Sequence, residues 1–216
     1  MSYMQRTVDY ELDQLLPFTA ALAIDGPKGV GKTETAQRRV TTAWFLDNPA
    51  QFEVARADFR FDTVPPGGLL IDEWQKLPQV WDSVRRQVDA GAVPGRFLLT
   101  GSATPFNAAG THSGAGRILS LRMRPMALHE RNMEDSAVSF LSMIEGEAST
   151  IAGETSFSLR DYADAIVNSG FPGIMQTPDR VRRRLLDAYL QRIVDRDLPD
   201  QGYEVRRPET LRRWLA

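Results

Sequence analysis

"GPKGVGKT", Gly26–Thr33, is the stretch from which the fold follows. It satisfies G-x-x-x-x-G-K-[S/T] at every position. Upstream, "ALAID" (Ala21–Asp25) reads as a short buried strand; downstream, "KTETAQRRV" carries strong helix formers and no Gly or Pro. Strand, glycine loop and helix in this order gather backbone N–H groups around an anion, because Gly26, Gly29 and Gly31 accept positive φ and leave room for its approach. The helix turns its N-terminal end to the same place. Lys32 is then placed to neutralise the β and γ phosphates of a nucleotide, and the Thr33 hydroxyl to be one ligand of a bridging Mg2+ ion. The expected nucleotide-binding segment runs through Gly26, Pro27, Lys28, Gly29, Val30, Gly31, Lys32, Thr33 and Glu34. The chain holds only three lysines, Lys28, Lys32 and Lys76, and two of them fall in this loop. A compact ammonium on a flexible stem suits a phosphate in a way that the guanidinium used elsewhere in the chain does not.

A second stretch, "LLIDEWQ" (Leu69–Gln75), ends an apolar run in two adjacent carboxylates. Charges at the end of a buried strand need a partner or water. With the loop in place, Asp72 is expected to hold the same Mg2+, and Glu73 to accept a proton from the water that attacks the γ phosphate. A third apolar run, "RFLLTGSATP" (Arg96–Pro105), brings Thr100 and Ser102 to the carboxyl edge of a parallel sheet, where ligands bind in such folds. Either hydroxyl is a candidate for orienting the water or sensing the γ phosphate, and the sequence does not choose between them.

The rest of the chain supports an α/β sheet covered on both faces. "TAWFLDNP" reads as a strand ending in an Asp-Asn-Pro turn. "PQVWDSVRRQVDAG" reads as a helix with Val80, Trp81, Val84 and Val88 on one face and Gly91 as its stop. "THSGAGRILSLRMRP" reads as a glycine-rich loop, Arg117, and a strand with Leu119, Leu121 and Met123 on one face. Arg117 is the candidate to reach a phosphate, in its own chain or from a neighbouring copy, against the alternative of an ordinary Arg at a strand start. His112 and His129 have no metal or triad pattern around them.

The character changes after about Glu130. "SLRDYADAIVNSG" begins with Ser158 and Asp161 in capping-box spacing and reads as a helix, as does "TPDRVRRRLLDAYLQRIVDRD" with Val181, Leu185, Ala188 and Tyr189 in helical spacing. Its run Arg182–Arg184 reads as a solvated face rather than a nucleic-acid contact, since Asp residues are interleaved and no aromatic platform accompanies it. "RRPETLRRWLA" reads as the first turns of another helix, so the chain is expected to be a truncated form of something longer. The expected organisation is a core over residues 1–130 and an incomplete helical region over residues 131–216.

Composition narrows the class. At 216 residues, 42% hydrophobic and 25% charged, the chain is long enough for a sizeable core, and its net charge of −2 gives nucleic acid no global attraction. No apolar run approaches a membrane span, and the N-terminus lacks the pattern of a signal peptide. Cysteine is absent, which excludes disulfides and thiolate metal sites. A cytoplasmic location is expected.

Taken together, "GPKGVGKT", "LLIDEWQ", "GRFLLTGSATP" and "HSGAGRI" resemble the AAA-type P-loop ATPases classed as AAA domain 14. "SGFPG" and "YLQRIVDRDL" resemble the start of the domain of unknown function 4143 that usually follows. The resemblance implies a P-loop NTPase three-layer sandwich with a mostly parallel sheet and a smaller helical C-terminal region. It also implies ATP and Mg2+ as ligands, Lys32 and Thr33 as loop residues, Asp72 and Glu73 as the second motif, and Thr100 or Ser102 as sensor. The leading expectation is Mg-dependent ATP hydrolysis driving a conformational switch, with an unidentified protein partner and a possible homo-oligomer supplying Arg117 in trans. The alternative is a nucleotide-binding module without significant turnover. A helicase-like motor is disfavoured because the chain has no room for a second motor domain, and a GTPase because no Asn-Lys-x-Asp or Thr-Lys-x-Asp follows the third strand.

Overall fold

The structure is a computed structural model that describes residues 3–102, 116–131, 140–146, 152, 154–200 and 202–215. Helix α1 (Thr7–Leu15) leads into β1 (Ala21–Asp25), the glycine loop and α2 (Lys32–Gln37). Strand β2 (Thr42–Phe45), α3 (Pro49–Ala57), β3 (Leu69–Asp72), α4 (Gln79–Asp89), β4 (Phe97–Gly101) and β5 (Leu119–Arg122) complete the sheet and its cover. The C-terminal part holds α5 (Phe140–Ile144), α6 (Leu159–Val167), α7 (Pro172–Met175), α8 (Asp179–Arg192), a π-helical turn (Ile193–Asp197), α9 (Leu198–Asp200) and α10 (Pro208–Leu215).

The five strands form one parallel sheet in the order β2-β3-β4-β1-β5. Alternate residues of each strand face opposite sides. Ala21, Ala23, Leu69, Ile71, Phe97 and Leu99 pack on one side with Trp44, Trp74, Val80, Trp81 and Val84. Leu22, Ile24, Leu70 and Leu98 pack on the other with Val8, Leu12 and Ala36. The expected three-layer α/β sandwich is therefore present. Burial on both faces is why β3 and β4 read as uninterrupted apolar runs. The register sets Asp72 beside Thr100 and Asp25 beside Gly101, so the strands end together at one carboxyl edge.

Several local expectations are met with adjustments. Asn48 caps α3, its Oδ1 accepting from Ala50 N at 3.0 Å and Gln51 N at 3.4 Å, with Pro49 at the first position. The helix after the glycine loop is only six residues long. The chain bends there to bring Thr42 into β2, beside Leu69. Leu119 does not share the burial of Leu121 and Met123, because β5 is an edge strand. In α6, Ser158 and Asp161 form the capping box that their spacing predicts. In α8 the apolar reading of Val181 and Leu185 is corrected, since both are exposed. Arg182 is instead the buried residue, donating to Asn168 Oδ1, to Asp179 Oδ1 at 2.8 Å and to Thr177 O at 2.7 Å. Buried in this way, the Arg182 guanidinium is out of reach of nucleic acid, whereas Arg183 and Arg184 are exposed. His112 lies outside the described residues, and His129 sits in a 3-10 turn with Nε2 3.0 Å from Thr7 Oγ1.

Trp81 is fully buried, with its ring 4.7 Å from that of Trp74. Trp81→Ala is expected to destabilise the fold by about 3–5 kcal/mol, and thermal unfolding should show a Tm lower by on the order of 10 °C.

Candidate functional site

The glycine loop leaves the carboxyl end of β1 with φ of 146° at Gly26, 80° at Gly29 and 105° at Gly31. At Gly26 the requirement is steric as well, since a Cβ there would stand 2.1 Å from the carbonyl oxygen of Met123. Lys32 folds back over the loop, its Nζ donating to the carbonyls of Gly26 and Pro27, both at 2.9 Å. Its side chain is 6% exposed. Burial pushes the ammonium below its ordinary pKa, and the carboxylates of Glu73, Asp72 and Asp25 oppose that shift, Glu73 most strongly. Lys32 thus faces the carboxylates of the second motif.

Asp72 is the point where three elements meet. It is 8% exposed at the end of β3. Its Oδ1 accepts from Thr33 Oγ1 of α2 at 2.9 Å and from Thr100 Oγ1 of β4. A carboxylate with two hydroxyl donors retains its second oxygen as an acceptor. Thr33 and Asp72 are the kind of oxygen ligands that Mg2+ takes from a protein, which binds it through one or two carboxylates and leaves other positions to water and phosphate. The residues present therefore fit the ion.

Glu73 occupies the left-handed region at φ 55°, ψ 43°, a conformation that costs a non-glycine residue about 1–3 kcal/mol and collects at functional sites. Ser102 lies just past β4, half-buried, and Gln75 Nε2 reaches both Glu73 Oε2 and, at 3.4 Å, Ser102 Oγ. The two hydroxyls left open in the sequence are thus separated: Thr100 binds Asp72, and Ser102 lies on the side of Glu73.

Two predicted loop residues are engaged elsewhere. Lys28 Nζ donates to Asp197 Oδ1 of the π-helical turn at 2.7 Å, and Lys28 O accepts from Tyr189 of α8 at 3.2 Å. The Tyr189 ring lies 4.8 Å from that of Phe171, and burial followed by Asp197 raises its pKa. Glu34 is exposed and pairs with Arg38 Nη2 at 2.8 Å. Arg117 precedes β5 at the amino edge of the sheet, opposite the loop, and its Nε donates to Asp89 Oδ1 at 2.9 Å. It is not brought to the loop of its own chain.

Other residues at the site carried no sequence signal. Arg6 is buried, donating through Nη1 to Val30 O and through Nη2 to Arg124 O, both at 2.7 Å, with Nε 3.3 Å from Glu130. It ties the segment before α1 to the loop. Beside the loop lies a cavity of about 280 Å³, lined by Tyr3 and Met4, by Thr35 of α2, by Met123 and Met126 after β5, and by Pro172 of α7. Tyr3 is pushed up to about 12 by burial and by its bond to Asp9, and its hydroxyl also lies 2.7 Å from Thr35 Oγ1.

The family model described as an AAA domain matches residues 19–132, which include the glycine loop, β3 and β4. No curated protein matches the chain. Among the described residues no helix is long and apolar enough to cross a membrane.

Asp197→Asn removes the charge that holds Lys28. Stability should change by about 1 kcal/mol or less, while hydrogen exchange followed by mass spectrometry should rise in the peptides carrying residues 27–31 and α8.

Proposed function

Because this chain belongs to the AAA domain family, shown by a match over more than half its length, we propose that it binds ATP and hydrolyses it with Mg2+, using the energy to drive a conformational switch. The observation that carries the reading is the convergence of Thr33, Asp72 and Thr100 at the carboxyl edge, next to a loop over which Lys32 is folded. Lys32 exchanges its loop carbonyls for the β and γ phosphates. Thr33 and Asp72 would hold Mg2+, which would neutralise charge on the phosphates, and Thr100 keeps Asp72 oriented. Glu73 accepts a proton from water as the water oxygen bonds to the γ phosphorus. The bond to the β–γ bridging oxygen breaks, and ADP leaves with that electron pair. Ser102 is the better placed of the two hydroxyls to orient the water, since it adjoins Glu73 through Gln75.

The sulfur-rich cavity beside the loop suits a purine. Its volume of about 280 Å³ is below the roughly 300–1,000 Å³ of pockets that hold a whole drug-sized ligand, so it matches a base whose phosphates lie in the loop. The described part of residues 131–216 is a helical region beside the core of residues 1–130, and we read it as related to the start of the domain of unknown function 4143. Their grip on Lys28 is a route by which the nucleotide state reaches a protein partner. Arg117, at the far edge, serves as a finger only toward a neighbouring copy. The location proposed is the cytoplasm.

Phosphate release from Mg-ATP, measured beside bound nucleotide, tests the reading. Lys32→Ala is expected to lose both binding and release. Glu73→Gln should keep ATP and lose release by roughly 100-fold or more. ATP binding by the parent without any phosphate release would instead support a binding module without turnover.

A further inference from the structure

The side chain of Gln75 takes part in neither the loop nor the Asp72 junction. Its Nε2 donates to Glu73 Oε2 and lies 3.4 Å from Ser102 Oγ. An ionised carboxylate only accepts hydrogen bonds, so the amide nitrogen must face Glu73, and Oε1 is sent to the other side. There Oε1 is buried with no hydrogen-bond partner among the described residues. It occupies space left by the missing side chain of Gly101, where a Cβ would stand 2.6 Å from it.

Packing alone does not select such a group. Methionine fills a similar volume with no amide oxygen to leave unpaired, and a buried unpaired oxygen is unfavourable. The bond to Glu73 must offset it. Glu73 in turn has an unusual backbone, at φ 55°, and its carboxylate needs a partner to fix its direction.

Resting on the ATPase reading above, we propose that Gln75 is a positioning residue for hydrolysis, whose amide holds the Glu73 carboxylate toward the attacking water and links it to Ser102 on the neighbouring strand. Gln75 exchanges no proton. Glu73 remains the acceptor, and Gln75 limits the orientations from which it accepts. The placement follows from β3 and β4 being adjacent and ending in register, with Asp72 beside Thr100. That register puts residues three past Asp72 and two past Thr100 on the same edge.

The test compares phosphate release and ATP affinity for the full chain, Gln75→Met, Gln75→Glu, Glu73→Gln and the double variant Glu73→Gln with Gln75→Met. For Gln75→Met, kcat should fall roughly 10–100-fold, with KM and the ATP dissociation constant within about twofold of the parent. Gln75→Glu keeps the shape but replaces the donor with a second carboxylate, and should show the same selective loss. The double variant should be no slower than Glu73→Gln, because Gln75 acts through Glu73. The proposal is overturned by a parent-like kcat in Gln75→Met, by a loss that follows ATP affinity or melting temperature, or by a double variant with multiplied defects. Those outcomes leave ATP hydrolysis standing. A parent that binds ATP but never releases phosphate removes the ATPase reading, and the role of Gln75 with it.

Discussion

The buried carboxylate of Asp72 is the constraint from which the site is organised. A charge at 8% exposure at the end of a strand covered on both faces must be met by donors, and they come from different parts of the chain. Thr33 arrives on the helix after the glycine loop and Thr100 on the adjacent strand. Satisfying one group therefore docks the loop against β3 and fixes β4 beside it.

The sheet leaves little choice about where chemistry happens. Both faces are filled by apolar side chains from α1 and α2 on one side and α3 and α4 on the other, so polar groups emerge only at strand ends. At the carboxyl edge the loop is supported from outside by Arg6, which donates to Val30 O, and by Met123, whose carbonyl occupies the space a side chain at Gly26 would need. Neither needs to touch a phosphate to matter. Each restricts where the loop's N–H groups can point.

The C-terminal helices add a second hold on the loop. Lys28 and its carbonyl are bound by Asp197 and Tyr189, and the Tyr189 ring packs at a tilt against Phe171. A π-helical turn carries Asp197, and such turns are frequent at functional positions. The loop is thus contacted by the segment before α1, by the segment after β5 and by the C-terminal part.

Much of the site was legible in the sequence because local physics dictates it. Gly26, Gly29 and Gly31 are required by positive φ, the apolar runs by two-sided burial, Asp72 by its place at a strand end, and Ser158 and Asp161 by capping-box spacing. The Arg6 contacts and the cavity were not legible, since they join residues far apart in the chain. Within the arginine run of α8, Arg183 and Arg184 are exposed as their spacing implied, but Arg182 was misread for a related reason, because spacing reports a helix face but not which neighbour covers it. Gln75 lay in plain view in "LLIDEWQ", yet its partner Ser102 is 27 positions away, and only the register of β3 with β4 brings them together. The sequence by itself thus determined the parallel sheet, the glycine loop and the carboxylate pair. Tertiary structure alone decided that Thr100 serves Asp72 while Ser102 adjoins Glu73, that Lys28 turns to Asp197, and that Arg117 stands at the far edge. Backbone conformation and burial pattern are local properties, whereas the partner of a polar group depends on which elements pack side by side.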